Sequence, residues 1–124
     1  MTTVTKELID SKIKAVVYYN AGVAAAASGG TGYSQEILDT LGLVTHCMII
    51  LENNFKVEGI SACVDPARYN EDIGKECAYE DAYNKIWQLE GYLLRQGLWE
   101  KEETAKALAS FAENNKCESG ACSI

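Results

Sequence analysis

Apolar positions along the chain fall into stretches of different period. From Val4 to Ser28 they recur at helical steps: Val4, Leu8, Ile9, Ile13, Val16 and Val17 form one stripe. With Thr5 as a cap and the run Ala24–Ala27 as strong helix formers, the pattern predicts a helix over 4–28, interrupted only by Gly22. Ser28-Gly29-Gly30-Thr31-Gly32 then breaks the periodicity. This loop lacks a Gly-Lys-Ser/Thr ending and a strand before it, so it reads as a linker and not as a phosphate cradle. Tyr33 to Gly42 reads as a loop with a turn of helix, a short helix capped by Ser34 being the alternative.

The period changes at Leu43. Val44, Thr45, Cys47, Met48, Ile49, Ile50 and Leu51 make a nearly continuous β-favouring run, predicting a strand over 43–52 buried on both faces. Asn53-Asn54 supplies a tight turn, because Asn tolerates positive φ. The return strand is predicted over 55–63, with Phe55, Val57, Gly59 and Ser61 on one side and Lys56, Glu58 and Ile60 on the other. Small residues beyond the Phe55 ring leave space above the sheet, to be filled by a helix or, near Phe55, by a ligand.

Asp65-Pro66 turns the chain, with Asp as a cap and Pro at a position where its missing amide costs nothing. A long helix is predicted over 70–96, with a core stripe of Ile73, Cys77, Ala78, Ala82, Ile86, Leu89 and Leu93 and an aromatic flank of Tyr79, Tyr83, Trp87 and Tyr92. Gly97 is expected to stop it. A last amphipathic helix follows over 99–115. The fold class is therefore α+β: a small antiparallel β-sheet, the hairpin 43–63, packed against long helices. One domain spans 1–116, and 117–124 is expected to be a flexible C-terminal tail. An isolated hairpin is marginal, so the sheet and the aromatic helix ask for a second protomer.

Composition narrows the function classes. A content of 48% hydrophobic and 23% charged residues is that of a globular domain. The net charge of −7 argues against binding a nucleic acid polymer, which needs a basic face. No apolar run is long enough for a membrane span, and the polar N-terminus lacks a signal-peptide layout, which predicts a cytoplasmic protein. The five cysteines, Cys47, Cys63, Cys77, Cys117 and Cys122, include no Cys-x-x-Cys pair, and the single His46 does not complete a zinc set. No metal and no cofactor are expected. His46 reads as a core or interface residue. Ser61 and Asp65 have only that histidine to serve them, and nothing pairs Glu80 with Glu90 as acid and base. No enzyme activity is predicted.

The most distinctive motif is Gly59-x-Ser61-Ala62-Cys63-x-Asp65-Pro66, followed by Ile73-Gly74, Ala78, Ala82 and Ile86-Trp87-x-Leu89-Glu90-Gly91-Tyr92-x-Leu94. Over residues 43–96 the chain resembles a family of small accessory proteins of tailed phages and, within it, the Thoeris anti-defence sponges. The resemblance implies a protein acting in the infected host cell. It would bind cyclic ADP-ribose isomers made by TIR immune enzymes, with cyclic trinucleotides as a second class, and sequester them uncleaved. It also implies a homodimer or a larger homo-oligomer.

Such a ligand needs an aromatic ring for the base and cations or free amides for phosphate. Phe55, Tyr69 and Trp87 are the stacking candidates, and Arg68 and Arg95, the only two arginines, are the phosphate candidates. Asn70 and Asn84 could read polar edges, with Asn54 a further candidate. Ala62, Asp65 and Pro66 join the set because they lie in the motif. Lys56 and Lys85 could add positive charge. The pocket is expected between protomers. Two other classes stay open: a nucleotide-cleaving anti-defence enzyme, and a structural or protein-binding module.

Overall fold

A computed structural model describes residues 3–29 and 32–122, with side chains described as far as residue 114. In chain order the elements are α1 (Lys6–Lys12), β1 (Ile13–Asn20), α2 (Ala21–Ala27), α3 (Gln35–Leu41), β2 (Val44–Leu51), β3 (Lys56–Ala62), a 3-10 turn (Pro66–Arg68) and α4 (Glu71–Cys122). The three strands form one antiparallel sheet in the order β1-β2-β3. The fold is α+β, as expected, but the sheet has one strand more than the hairpin.

That strand corrects the helix expected over 4–28. Ala15-Val16-Val17-Tyr18-Tyr19 is a β-branched and aromatic run, and pairing with β2 decides between two periods that the residues satisfy equally. Val16 faces Ile49, Tyr18 faces Cys47 and Tyr19 faces His46. The flanking helices survive as single short elements with side-chain caps. Thr5 accepts from the Leu8 amide at 3.1 Å. Asn20 Oδ1 accepts from the Gly22 and Val23 amides at 2.9 and 3.2 Å. Gln35–Leu41 is a helix capped by Ser34, the alternative to a loop.

The hairpin stands close to expectation, and Asn54 takes the positive φ of 68° in its turn. One side of β2, however, is covered and the other is not. Thr45, Cys47, Ile49 and Leu51 are buried, while Val44, His46, Met48 and Ile50 are only half-buried. Two-sided burial is corrected because all the helices that contribute to the core lie on one face.

That core joins Ile9, Cys47, Ile49, Leu51 and Val57 with Ala78, Ala82 and Ile86. On α4 the buried positions are Gly74, Ala78, Ala82, Ile86 and Glu90, a ladder in steps of four. It is narrower than the expected stripe: Ile73, Cys77, Leu89 and Leu93 are exposed. Small residues on both sides let helix and sheet approach closely. A methyl group at Gly59 would overlap the Ala78 carbonyl oxygen and the Ala82 amide nitrogen, and one at Gly74 would stand 2.7 Å from Thr45 Oγ1. The outer edge of β3 is tied to the same helix. The Ile60 amide donates to Asp81 Oδ2 at 2.9 Å, and Lys85 Nζ donates to the Glu58 carbonyl at 2.6 Å.

The expected helix boundary at Gly97 changes. Gly97 does not stop α4, which runs on through the stretch predicted as a separate helix and spans about 78 Å at 1.5 Å per residue. Its backbone is helical to Cys122, so the expected tail begins inside it; the tail's side chains and residues 123–124 lie outside the described residues. Gly30 and Thr31 of the glycine-rich loop do too.

Candidate functional site

The candidate residues separate into distinct neighbourhoods. Ala62, Asp65, Pro66, Arg68, Tyr69 and Asn70 lie together where β3 ends and α4 begins. Asp65 Oδ1 accepts from the Ala67 amide at 3.0 Å and fixes the 3-10 turn. Asn70 Oδ1 accepts from the Asp72 and Ile73 amides at 2.9 and 3.2 Å and starts α4. Between these two caps Arg68 projects outward, its side chain 86% exposed and held only by Asp65 at 3.8 Å. A cavity of about 180 Å³ lies here, lined by Ser61, Cys63, Arg68, Tyr69, Asn70 and Gly74, among others.

Phe55 is elsewhere. It stands just before β3, about 23 Å from Ala62 at 3.3 Å per residue. It is half-exposed, at the edge of a cleft shared with Lys56, Lys85, Gln88 and Leu89. A helix occupies the rest of that sheet face, as the Gly59 contacts show. Asn84 sits in a third place, beside Lys6, Tyr79, Glu80 and Tyr83. Trp87 is half-exposed on α4, and Arg95 forms a two-pronged pair with Glu102 at 3.0 and 3.1 Å. Within one protomer the structure thus brings together Arg68, Tyr69 and Asn70. It does not bring Phe55, Asn84 or Arg95 to them.

Other residues at this corner escaped the sequence reading because β1 was read as helix. Asn20 Nδ2 donates to the Gly42 carbonyl at 2.8 Å and to the Tyr69 hydroxyl at 3.3 Å, fixing that ring from behind. Beyond Tyr69 a second cavity, of about 350 Å³, opens between α2, β1 and the first turns of α4, with Tyr18, Thr45, Tyr69, Glu71 and Lys75 in its wall. The available signal was Tyr18-Tyr19-Asn20 at the end of a β-favouring run. On the uncovered sheet face, Tyr19 stacks flat on His46 with centroids 4.7 Å apart, and Glu58 takes a hydrogen bond from Tyr19 at 3.0 Å.

Titratable groups with displaced protonation lie mainly away from this corner. Burial pushes the Tyr83 phenol up to about 12, helped by its hydrogen bond to Asp10 at 2.8 Å. The Lys6 ammonium, then Tyr83, hold the Asp10 carboxyl below its ordinary value. Burial raises the Cys47 thiol, which stays a protonated core residue. Among the described residues no group of three His, Cys, Asp or Glu side chains converges as a metal site, and no helix is long and apolar enough to cross a membrane.

The architecture is thus a three-stranded antiparallel sheet covered on one face by the long helix α4 and by α1, with clefts along its flanks. The chain belongs to the Phage protein (N4 Gp49/phage Sf6 gene 66) family, whose pattern it matches over residues 4–98. No curated protein and no solved structure is significantly similar to it.

Proposed function

We propose that this phage protein binds a cyclic nucleotide immune signal, a cyclic ADP-ribose isomer made by a TIR enzyme, and sequesters it without cleaving it. The observation that carries the reading is the corner at Arg68, Tyr69 and Asn70. An exposed guanidinium, an aromatic ring fixed from behind and a helix start meet there around one cavity. On a chain of net charge −7 an outward-facing guanidinium beside an aromatic ring is a feature that an anionic, base-bearing ligand would use, in competition with Asp65. The Thoeris sponge resemblance supplies the ligand class. The cavity is too small to enclose such a ligand, so the site is completed by a second copy in a homodimer or larger homo-oligomer. That copy's cleft at Phe55 and Lys56 offers a second aromatic and a further cation, with Lys85 beside them bonded to the Glu58 carbonyl and Asp81. Cyclic trinucleotides are the second ligand class.

The test is depletion. Purified protein is incubated with the product of a TIR enzyme, free ligand is measured, and the sample is then heated and measured again. Loss followed by release of unchanged ligand is expected, with Arg68→Ala reducing the loss at least tenfold. Release of an altered product would make the protein an enzyme, and no loss would reject this ligand. A second reading, a protein-binding module, is favoured by exposed Leu93, Trp99, Leu108 and Phe111 on α4. It predicts that Arg68→Ala leaves all binding unchanged.

A further inference from the structure

We propose that the outer half of α4 is a self-pairing surface: it joins a second copy of this chain as an antiparallel helix pair centred between Leu98 and Lys101. The pairing is independent of the sequestration reading, since α4 alone carries it.

From Trp99 to Asn114 every residue of α4 is exposed, so the helix has left the sheet behind. Helices in proteins draw most of their stability from an apolar face packed against something. This stretch carries such a face. Leu94, Leu98, Lys101, Ala105, Leu108 and Ala112 follow one another in alternating steps of four and three, the spacing of a coiled-coil seam. The repeat reaches back through Gly91 to Trp87. None of these positions belongs to the ladder that meets the sheet, and all are exposed or half-buried. The seam runs into a groove of about 350 Å³ at the edge of the body, lined by Leu94, Leu98 and Lys101 together with Val4 and Leu8. A helix lying along the seam would seat in that groove.

Side-chain size and charge choose the partner and its direction. In a parallel pair each layer holds two copies of one residue, so Lys101 would meet Lys101 and Gly91 would face an empty space. In the antiparallel pair centred as stated, large meets small along the seam. Trp87 lies opposite the partner's Ala112, Gly91 opposite the partner's Leu108, and Leu94 opposite the partner's Ala105. Leu98 lies opposite the partner's Lys101, whose stem can cover it while the ammonium reaches water. The charges flanking the seam agree. Arg95 and Glu102 pair at 3.0 Å within one chain and are 59% and 54% exposed. The antiparallel pair sets Arg95 beside the partner's Glu102 and Glu102 beside the partner's Arg95, so four charges alternate. A slip of one heptad either way would set Arg95 against Arg95 or Glu102 against Glu102. One register thus satisfies size and charge together, and the surface complementary to the seam is the seam itself.

The test is sedimentation velocity on the purified full chain, with circular dichroism to confirm that each variant is folded. Wild type is expected as a dimer. Gly91→Leu fills the space meant for the partner's Leu108, whereas in its own chain a carbon added at Gly91 meets nothing within 4 Å. It should keep its helical signal and weaken the dimer about ten- to a hundredfold. Gly91→Leu/Leu108→Ala, which exchanges large for small within one layer, should restore the dimer. Arg95→Glu and Glu102→Arg should each weaken it, and mixing the two proteins should give heterodimers, because opposite charges then face each other again. A monomeric wild type, or a Gly91→Leu chain that pairs as tightly as wild type, overturns the proposal. Folded variants that neither the size exchange nor the mixing rescues overturn it as well.

Discussion

Gly59 is the point where the sheet and α4 come closest, and replacing it by alanine tests the packing of the whole molecule. The added methyl would overlap the Ala78 carbonyl oxygen and Ala82 amide nitrogen and lie 2.9 Å from the Ala82 methyl. The first two obstacles are helix backbone, so no side-chain rotation relieves them. Helix α4 must move away by roughly 1 Å, a gap that forfeits a quarter to a half of each contact it opens. The affected contacts are those of Ala78, Ala82 and Ile86 with Cys47, Ile49 and Val57, the centre of the core. Overpacking usually costs about 1–3 kcal/mol, and a clash with helix backbone that no rotamer can relieve puts this site at or above the top of that range, about 3–5 kcal/mol. For 124 residues the unfolding entropy is about 0.26 kcal/mol/K, so the melting temperature should fall by about 12–19 °C. Circular dichroism melts of Gly59→Ala measure it. The double variant Gly59→Ala/Ala82→Gly should not recover, because the nearest clashes remain. A fall below about 3 °C, or full recovery in the double variant, would refute the close approach.

Further outcomes follow from other contacts. Lys12 reaches both Glu90 oxygens at 2.8 Å, with side chains 24% and 10% exposed. Glu90→Ala should cost about 2–3 kcal/mol in urea denaturation, less than a fully buried pair, while Lys12→Met/Glu90→Leu should stay near wild type. Gly97→Ala should stabilise by about 1 kcal/mol and raise helical signal, since nothing stands within 4 Å of the added carbon and the helix passes through; a loss would restore Gly97 as a helix stop. The Asp10–Tyr83 contact gives opposite pH limits. Asp10, its acidity increased on folding, contributes above its ordinary value of 3.8, and that contribution is lost as pH falls through its lower folded value. Tyr83, raised from 10.0 to about 12, contributes fully below pH 10 and loses its contribution as pH rises through 12. Melts across both windows should show Tyr83→Phe falling less steeply than wild type above pH 10.

The hairpin was legible because its signals agree: a β-favouring run, a turn with Asn at positive φ and a return strand with alternating burial. Strand β1 was not. Val16 and Val17 fit a helical stripe, and only pairing with Ile49 and Met48 reveals them as strand. Losing β1 also hid Tyr18 and Thr45 as neighbours, since register alone brings β1 beside β2 at Asn20↔Thr45. Gly97 misled for another reason. One glycine costs a helix about 1 kcal/mol, which is too little to end a helix that its neighbours favour. At the candidate site, Asp65 to Asn70 lie together because they are neighbours in sequence, joined by the 3-10 turn between two side-chain caps. Phe55, at the start of the return strand already predicted over 55–63, stands a full strand length away from that corner.

The bonds from Asp81 and Lys85 to β3 have a consequence for self-association. A sheet of three strands has two free edges, and each is a template for an added strand. At β3 the outward amide of Ile60 and the outward carbonyl of Glu58 are already taken by two side chains one helical turn apart, themselves an ion pair at 3.8 Å. An extended peptide would have to displace both to zip onto that side. Strand addition at this edge therefore meets an obstacle built from α4, and Asp81→Ala with Lys85→Ala would leave the Ile60 amide and Glu58 carbonyl open to a pairing strand.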